Sequence, residues 1–214
     1  SQDPDYKNRP YMYAPDVVRG NDGRYYLYYC MSGAYGKGGY FGPISVAVCD
    51  TPAGKYEFLG HIHYPDGRPM KKFVCFDPGV INDNGTIRIY YGTQFDYEQS
   101  DNCKNDEDII EKEMAMFGKS KEEILTTDDS VMGACMVVVE EEPKHIIPYN
   151  TKGTSFEAHP FFEASSIRKV KDTYYFIYSS KQNHELCYAT SKYPDRDFVF
   201  GGTIVSNVDI GLNG

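Results

Sequence analysis

The 214-residue sequence predicts an all-β protein made of propeller-like blades, each of four short antiparallel strands, with one short helical insertion. Three observations carry that expectation. Three stretches of the chain repeat an acidic residue, a turn and a Tyr-rich segment in the same order, and repetition on this scale marks solenoids and propellers. The segments between the turns alternate with period 2, as strands do, and the turns are rich in Gly, Asp, Asn and Pro. Aromatic residues make up 15% of the chain with no Trp, which suits a Tyr-packed β protein of one domain.

The first unit, residues 11–63, runs from Asp16 through a turn at Asn21, Asp22 and Gly23 into Tyr25, Leu27 and Tyr29. The second, residues 73–150, runs from Asp77 through Asn84 and Gly85 into Ile87, Ile89 and Tyr91. The third, residues 159–205, runs from Glu163 through Lys171 and Asp172 into Tyr174, Phe176 and Tyr178. A third strand follows in each, at Ile44–Val48, Met136–Val139 and Leu186–Thr190. Aligning Ala47, Val138 and Ala189 places Pro52, Pro143 and Pro194 five residues later in each unit. Phe58 and Gly60 then match Phe200 and Gly202, which predicts a fourth strand. The second-strand aromatics are expected to pack between blades rather than to bind ligand.

Residues 96–130 interrupt the second unit. Helical spacing of Ile109, Ile110, Glu113, Met114 and Phe117 predicts a helix over Asp106–Phe117, and a further turn or two is expected over Ser120–Leu125. Such an insertion serves either as a surface lid packed by its own side chains or as a loop shaping a cleft. The glycine-rich run Gly33–Gly39 lacks the spacing of a phosphate-binding loop and reads as a long hairpin connection.

A formal charge of −9 without a basic cluster argues against nucleic acid or an anionic membrane as partner. No apolar run approaches the roughly 20 residues that span a bilayer, and Ser1–Pro10 is too polar for a signal peptide. Cys30, Cys49, Cys75, Cys135 and Cys187 fall in or beside expected strands, so they read as unpaired apolar thiols, which favours the cytoplasm. Cys103 lies in the polar insertion and is expected to be exposed. His61 and His63 share a strand face, and His159 and His184 flank the Glu163 and Tyr178 strands, yet no trio in the sequence reads as a metal site. No nucleophile elbow is present.

Three motifs together resemble glycoside hydrolase family 43. They are Tyr13, Ala14, Pro15 and Asp16; the run Phe76–Gly85; and Phe162–Lys169 followed by Tyr174–Ser180. The resemblance implies a five-bladed β-propeller that cleaves arabinofuranosyl or xylosyl linkages of plant-type glycans with inversion. It implies Glu163 as general acid and Asp77 as the second acid that orients Glu163 and raises its pKa. A free Glu titrates near about 4.3, so protonating a leaving group near neutral pH requires burial beside another carboxylate. Tyr13, Phe76, Asp16 and His184 are the candidate substrate contacts. Asp16 has a second reading, in which it caps a turn or holds the inner strands in register.

An inverting enzyme also needs a base about 6.5–9.5 Å from the acid. The family places it on the first blade, whereas this chain opens on what resembles the second. Asp3 and Asp5 lack the strand context of a blade, so the base is expected outside the chain. Residues 201–214 resemble the connection into the last blade, where family members place a His near a central cation or water. The expectation is therefore about three of five blades, with open flanks that self-associate or meet the missing blades. No cofactor is expected to be required, and a structural calcium or other cation near the axis of the complete protein is left open. A non-catalytic glycan-binding propeller and a protein-interaction propeller are the competing readings.

Overall fold

The computed structural model describes residues 11–32, 43–94, 107, 110–111, 114, 120–126, 132–181 and 184–206. They form three four-stranded antiparallel sheets in which neighbours in space are neighbours in sequence. The first sheet contains β1 (Tyr11–Arg19), β2 (Tyr25–Ser32), β3 (Ser45–Cys49) and β4 (Glu57–His61). The second contains β5 (Gly79–Asp83), β6 (Thr86–Tyr91), β7 (Gly133–Val138) and β8 (Lys144–Pro148). The third contains β9 (Phe161–Val170), β10 (Thr173–Ser180), β11 (Leu186–Ser191) and β12 (Val199–Val205). The sheets are consecutive blades of a β-propeller, with the inner strand β5 in contact with β1 on one side and β9 on the other.

Local chemistry sets the hairpins. Asp83 pairs with Thr86, and Asn84 and Gly85 between them have φ of 52° and 98°, the two-residue turn whose twist suits a hairpin. The same turn is clasped to the first blade. Asn21 donates from Nδ2 to Gly85 O at 2.7 Å, and Asn82 donates to Arg19 O at 2.9 Å and to Asn21 Oδ1 at 3.0 Å.

Packing follows from strand alternation. In β6, Ile89 and Tyr91 face the first blade, where they meet Tyr28, Ile44, Val46 and Ile62. Tyr90 faces the other way, with Ala134 and Met136, into a core completed by Phe161, Ile167, Tyr174, Phe176 and Tyr178. The middle blade is thus buried on both faces, whereas β10 alternates buried and half-buried residues along its length. Side chains that are fully buried this way contribute about 1.5–3 kcal/mol each, so the two inter-blade cores hold the array together.

Polar contacts fix the second blade on the third. Asp83, only 9% exposed, accepts from Lys169 Nζ and Tyr174 OH at 2.6 Å each and from Arg88 Nε at 3.0 Å. Burial alone raises its pKa, but these three donors outweigh that effect and hold the carboxyl at about 2. Tyr90 OH donates to Pro194 O at 2.9 Å, and Lys144 pairs with Asp195 at 2.8 Å on the rim.

Within the insertion, α1 (Lys121–Leu125) opens on a reciprocal cap: Ser120 N donates to Glu123 Oε2 at 2.8 Å and Glu123 N to Ser120 Oγ at 3.3 Å. Residues 107, 110, 111 and 114 are also helical, and Ile110 is buried. The rest of the helix expected over Asp106–Phe117, the Gly33–Gly39 loop and Cys103 lie outside the described residues. Cys30, Cys75, Cys135 and Cys187 are buried free thiols and Cys49 is half-buried. No helix among the described residues is long and apolar enough to cross a membrane.

Because the folded Asp83 pKa lies below its unfolded value, its stabilisation is present above about pH 4 and is lost as pH falls towards 2. Asp83→Asn is expected to lower unfolding free energy by roughly 2 kcal/mol at pH 7. Urea denaturation at stepped pH should show the variant and the parent converging as the pH is taken down to 2.

Candidate active site

Each inner strand carries, within it or just before it, an acid beside a backbone residue in the left-handed region. Ala14 (φ 35°) precedes Asp16 by two positions, Asp77 itself has φ 47°, and Ala164 (φ 63°) follows Glu163 directly. Such conformations cost about 1–3 kcal/mol in a non-glycine residue and gather at functional sites. Here they break the regular ladder. The β1–β2 register shifts between Tyr13 and Asp16, and the β9–β10 register shifts on either side of the pair Ser179 and Glu163.

The acids reach across blade boundaries. Asp77 Oδ2 accepts a hydrogen bond from Ala164 N at 3.1 Å, so its carboxyl lies against the backbone that carries Glu163. Asp16 Oδ2 accepts from Val80 N at 2.9 Å, while Oδ1 accepts from Val17 N at 2.9 Å. The first acid thereby ties β1 to β5 and the second ties the entry of β5 to β9. Gly79 makes the latter approach sterically feasible: a Cβ there would stand 2.4 Å from Ser165 O.

Burial then sets the electrostatics. Asp77 is 7% exposed, and desolvation raises its carboxyl to about 6 despite the Ala164 N–H, which favours the charged form. Glu163 is half-buried, and desolvation first, then the negative charge of Asp77, raises it to about 7. The pair holds a proton near neutral pH, as a general acid must. Cys30 completes the floor. Its thiol is 2% exposed, bonds to Tyr13 O at 3.6 Å, and is pushed by burial to about 12, where it is inert as a nucleophile.

Around this pair the aromatic candidates fall into two groups. Tyr13 and Phe76 pack with ring centroids 5.7 Å apart, and Phe76 is buried, so Tyr13 is the more accessible ring. His184, exposed and with φ 48°, stands edge-on to Phe162 at 5.0 Å, beside the residue that precedes Glu163. Asp16 is brought to the same edge, but its oxygens are engaged by the two backbone amides.

Two contributors escape sequence reading. Beyond β6, Gly92 N donates to Phe76 O and Gln94 N to Phe162 O, both at 2.8 Å, so one short strap fixes the residues preceding both acids. Gln94 is 1% exposed, and among the described residues its side-chain amide and the Ser165 hydroxyl are buried without a hydrogen-bond partner. Gln94 stands at the edge of the insertion with no motif around it, so no signal in the sequence marks it. Cys30 pairs opposite Tyr13, and its thiol also meets the Asp77 backbone and the charges of Asp77 and Glu163.

The family profile described as glycosyl hydrolases family 43 matches residues 1–147. The chain belongs to this family. The family 43 chain is 43% identical to a xylosidase/arabinosidase of Thermoclostridium stercorarium over 94% of its own length and 38% of that protein. It is 31% identical to a xylosidase/arabinosidase of Bacteroides ovatus over 90% of its length and 56% of that protein. Among solved structures it resembles a β-xylosidase/α-arabinofuranosidase from a compost microbial metagenome, in complex with xylotriose, at TM-score 0.59 and 26% identity, covering 94% of this chain and 60% of that one. A β-xylosidase structure at TM-score 0.61 and 23% identity, covering 91% of this chain and 57% of that one, shares the fold. This family 43 chain spans 38% and 56% of the length of the two curated relatives.

Raised carboxyls destabilise the folded state above their unfolded pKa, so the penalty from Glu163 is absent near pH 4 and complete once the pH exceeds about 7. Glu163→Gln is expected to stabilise the protein by about 1–2 kcal/mol at pH 8, allowing for partial solvent screening, and to be neutral near pH 4. Thermal unfolding at the two pH values checks the difference. Asp16→Ala, which strips β1 and β5 of their shared carboxylate, is expected to cost about 1–2 kcal/mol, read by denaturant titration, with Asp16→Asn keeping part of that loss.

Proposed function

We propose that the protein is a glycoside hydrolase acting on arabinofuranosyl or xylosyl linkages of plant-type glycans by an inverting acid/base mechanism. The observation that carries this reading is the hydrogen bond from Ala164 N, next to Glu163, to the Asp77 carboxylate, in a setting whose burial raises both carboxyls. The names of the relatives, xylosidase/arabinosidase in two genera, support the linkage class. The xylotriose complex of the compost-derived enzyme supports an oligosaccharide as ligand.

In this mechanism Glu163 donates its proton to the glycosidic oxygen as the bond to the anomeric carbon breaks. Positive charge then develops on the sugar ring, and the ionised Asp77 helps to offset it across the low-dielectric hub. Water attacks from the opposite face, and its proton goes to a base that the family resemblance places outside this chain, while Asp16 ties β1 to β5 through its two backbone hydrogen bonds. Tyr13 offers a ring to a sugar face, and His184 a hydrogen-bonding edge at the rim.

Hydrolysis of arabino- and xylo-oligosaccharides, followed by NMR of the first-formed anomer, tests the proposal. Inverted product is expected, with kcat/KM falling as pH rises through about 7. Glu163→Gln is expected to lose about 10²–10⁴-fold on a natural linkage and much less on a nitrophenyl glycoside, whose leaving group needs no proton. Asp77→Asn removes the charge that raises Glu163, so the alkaline limb is expected to move to lower pH. Retained product, or a Glu163→Gln enzyme as active as the parent on natural linkages, would refute the assignment.

A further inference from the structure

A second constellation lies in the third blade, where an imidazole nitrogen of His159, a carboxylate oxygen of Glu185 and the Cys187 sulfur fall within 4.8 Å of one another. All four strands of the blade frame it. His159 stands two residues before β9, and its backbone oxygen accepts from Tyr178 OH of β10 at 2.8 Å. Its ring is stacked on Phe200 of β12, with centroids 4.5 Å apart and planes 6° from parallel. Ser180 N of β10 donates to Glu185 O at 2.8 Å, which fixes the entry to β11. His159 Nδ1 is already 2.9 Å from Glu185 Oε2.

The chemistry of the three donors is selective. A thiolate, an imidazole and one carboxylate oxygen suit a borderline-soft ion, whereas calcium and magnesium take all-oxygen shells. Hydroxyls stand behind the sulfur: Thr203 Oγ1 is 3.6 Å from Cys187 Sγ, and Ser180 also bonds to it. Donors in that place stabilise a metal-bound thiolate. Zinc bonds of about 2.0–2.3 Å set ligand atoms roughly 3.2–3.7 Å apart, so the widest separation must contract by about 1 Å. The His159 and Glu185 side chains are 27% and 13% exposed, whereas Cys187 is fully buried, so the first two lie on the solvent side of the cluster and are the ones to adjust.

We propose that His159, Glu185 and Cys187 form a site for one zinc-class divalent cation that clamps the entry of β9, the strand bearing Glu163, to β11. Cys187 gives up its thiol proton to solvent on binding, His159 coordinates as neutral imidazole, and a fourth position stays open to water. The inference concerns a group separate from the paired acids and stands whether or not the protein cleaves glycans.

Titrating the metal-free protein with Co²⁺ tests it, because a coordinated thiolate gives a near-ultraviolet charge-transfer band that imidazole and carboxylate do not. The expected result is a band that saturates at one equivalent, is displaced by Zn²⁺, and persists in Glu163→Gln and in a variant lacking Cys49 and Cys103. Cys187→Ser is expected to abolish it. Should that variant fail to fold, His159→Gln keeps the thiol and is expected to bind Co²⁺ at least tenfold more weakly. Zn²⁺ is also expected to raise the unfolding midpoint of the parent alone. Absence of the band, or a band of unchanged affinity in either variant, overturns the proposal and leaves a His–Glu ion pair beside a buried thiol.

Discussion

The site depends on how closely β5 and β9 approach at the hub. A side chain at residue 79 would collide with Ser165 O, and without that close contact the Asp77 carboxylate would not reach Ala164 N. That single hydrogen bond brings a second, buried acid beside the half-buried Glu163. Exclusion of water raises the carboxyls, so the same geometry that packs two strands also tunes the proton affinity. Structure and electrostatics are one constraint here.

That constraint works against stability, and its origin is visible in the backbone as well as in the charges. Ala14, Asp77 and Ala164 all hold left-handed φ, and two carboxyls sit where solvent would have charged them freely. Opposing this are the two inter-blade cores and the Asp83 network, which lies at the far end of the same strand β5. The division is spatial. One end of the inner strands carries a fully neutralised acid with three donors, and the other carries acids left short of donors.

Blade architecture was legible because it is written locally. Asn84 and Gly85 dictate their turn, and alternation along Tyr174, Phe176 and Tyr178 matches the buried face of β10. In the first blade the alternation misleads. Tyr28, Tyr29, Cys30 and Met31 are all buried, because β2 has neighbours on both faces at that end, and period 2 cannot report a strand covered twice. The paired acids were legible as equivalent positions of repeats. Their partners were not: Asp16 meets Val80 across 64 residues, Gln94 meets Phe162 from beyond another strand, and His159 meets Cys187 only after β10 intervenes. Contacts made between repeats leave no periodic trace, since each partner occurs once.

Two acids this close share their charge, and which one keeps the proton decides the chemistry. Were the surroundings symmetric, each would hold it half the time and neither would serve well as a donor. The Ala164 N–H breaks the symmetry by stabilising an ionised Asp77, and the charge so fixed pushes the proton towards Glu163. Near neutral pH the favoured state is therefore a protonated Glu163 beside an anionic Asp77. Once Glu163 releases its proton, two negative charges face one another in a poorly solvated hub, which drives recapture of a proton from solvent after the products leave and resets the acid. A backbone amide, which no substitution of side chain can titrate away, thus fixes the direction in which the pair is polarised.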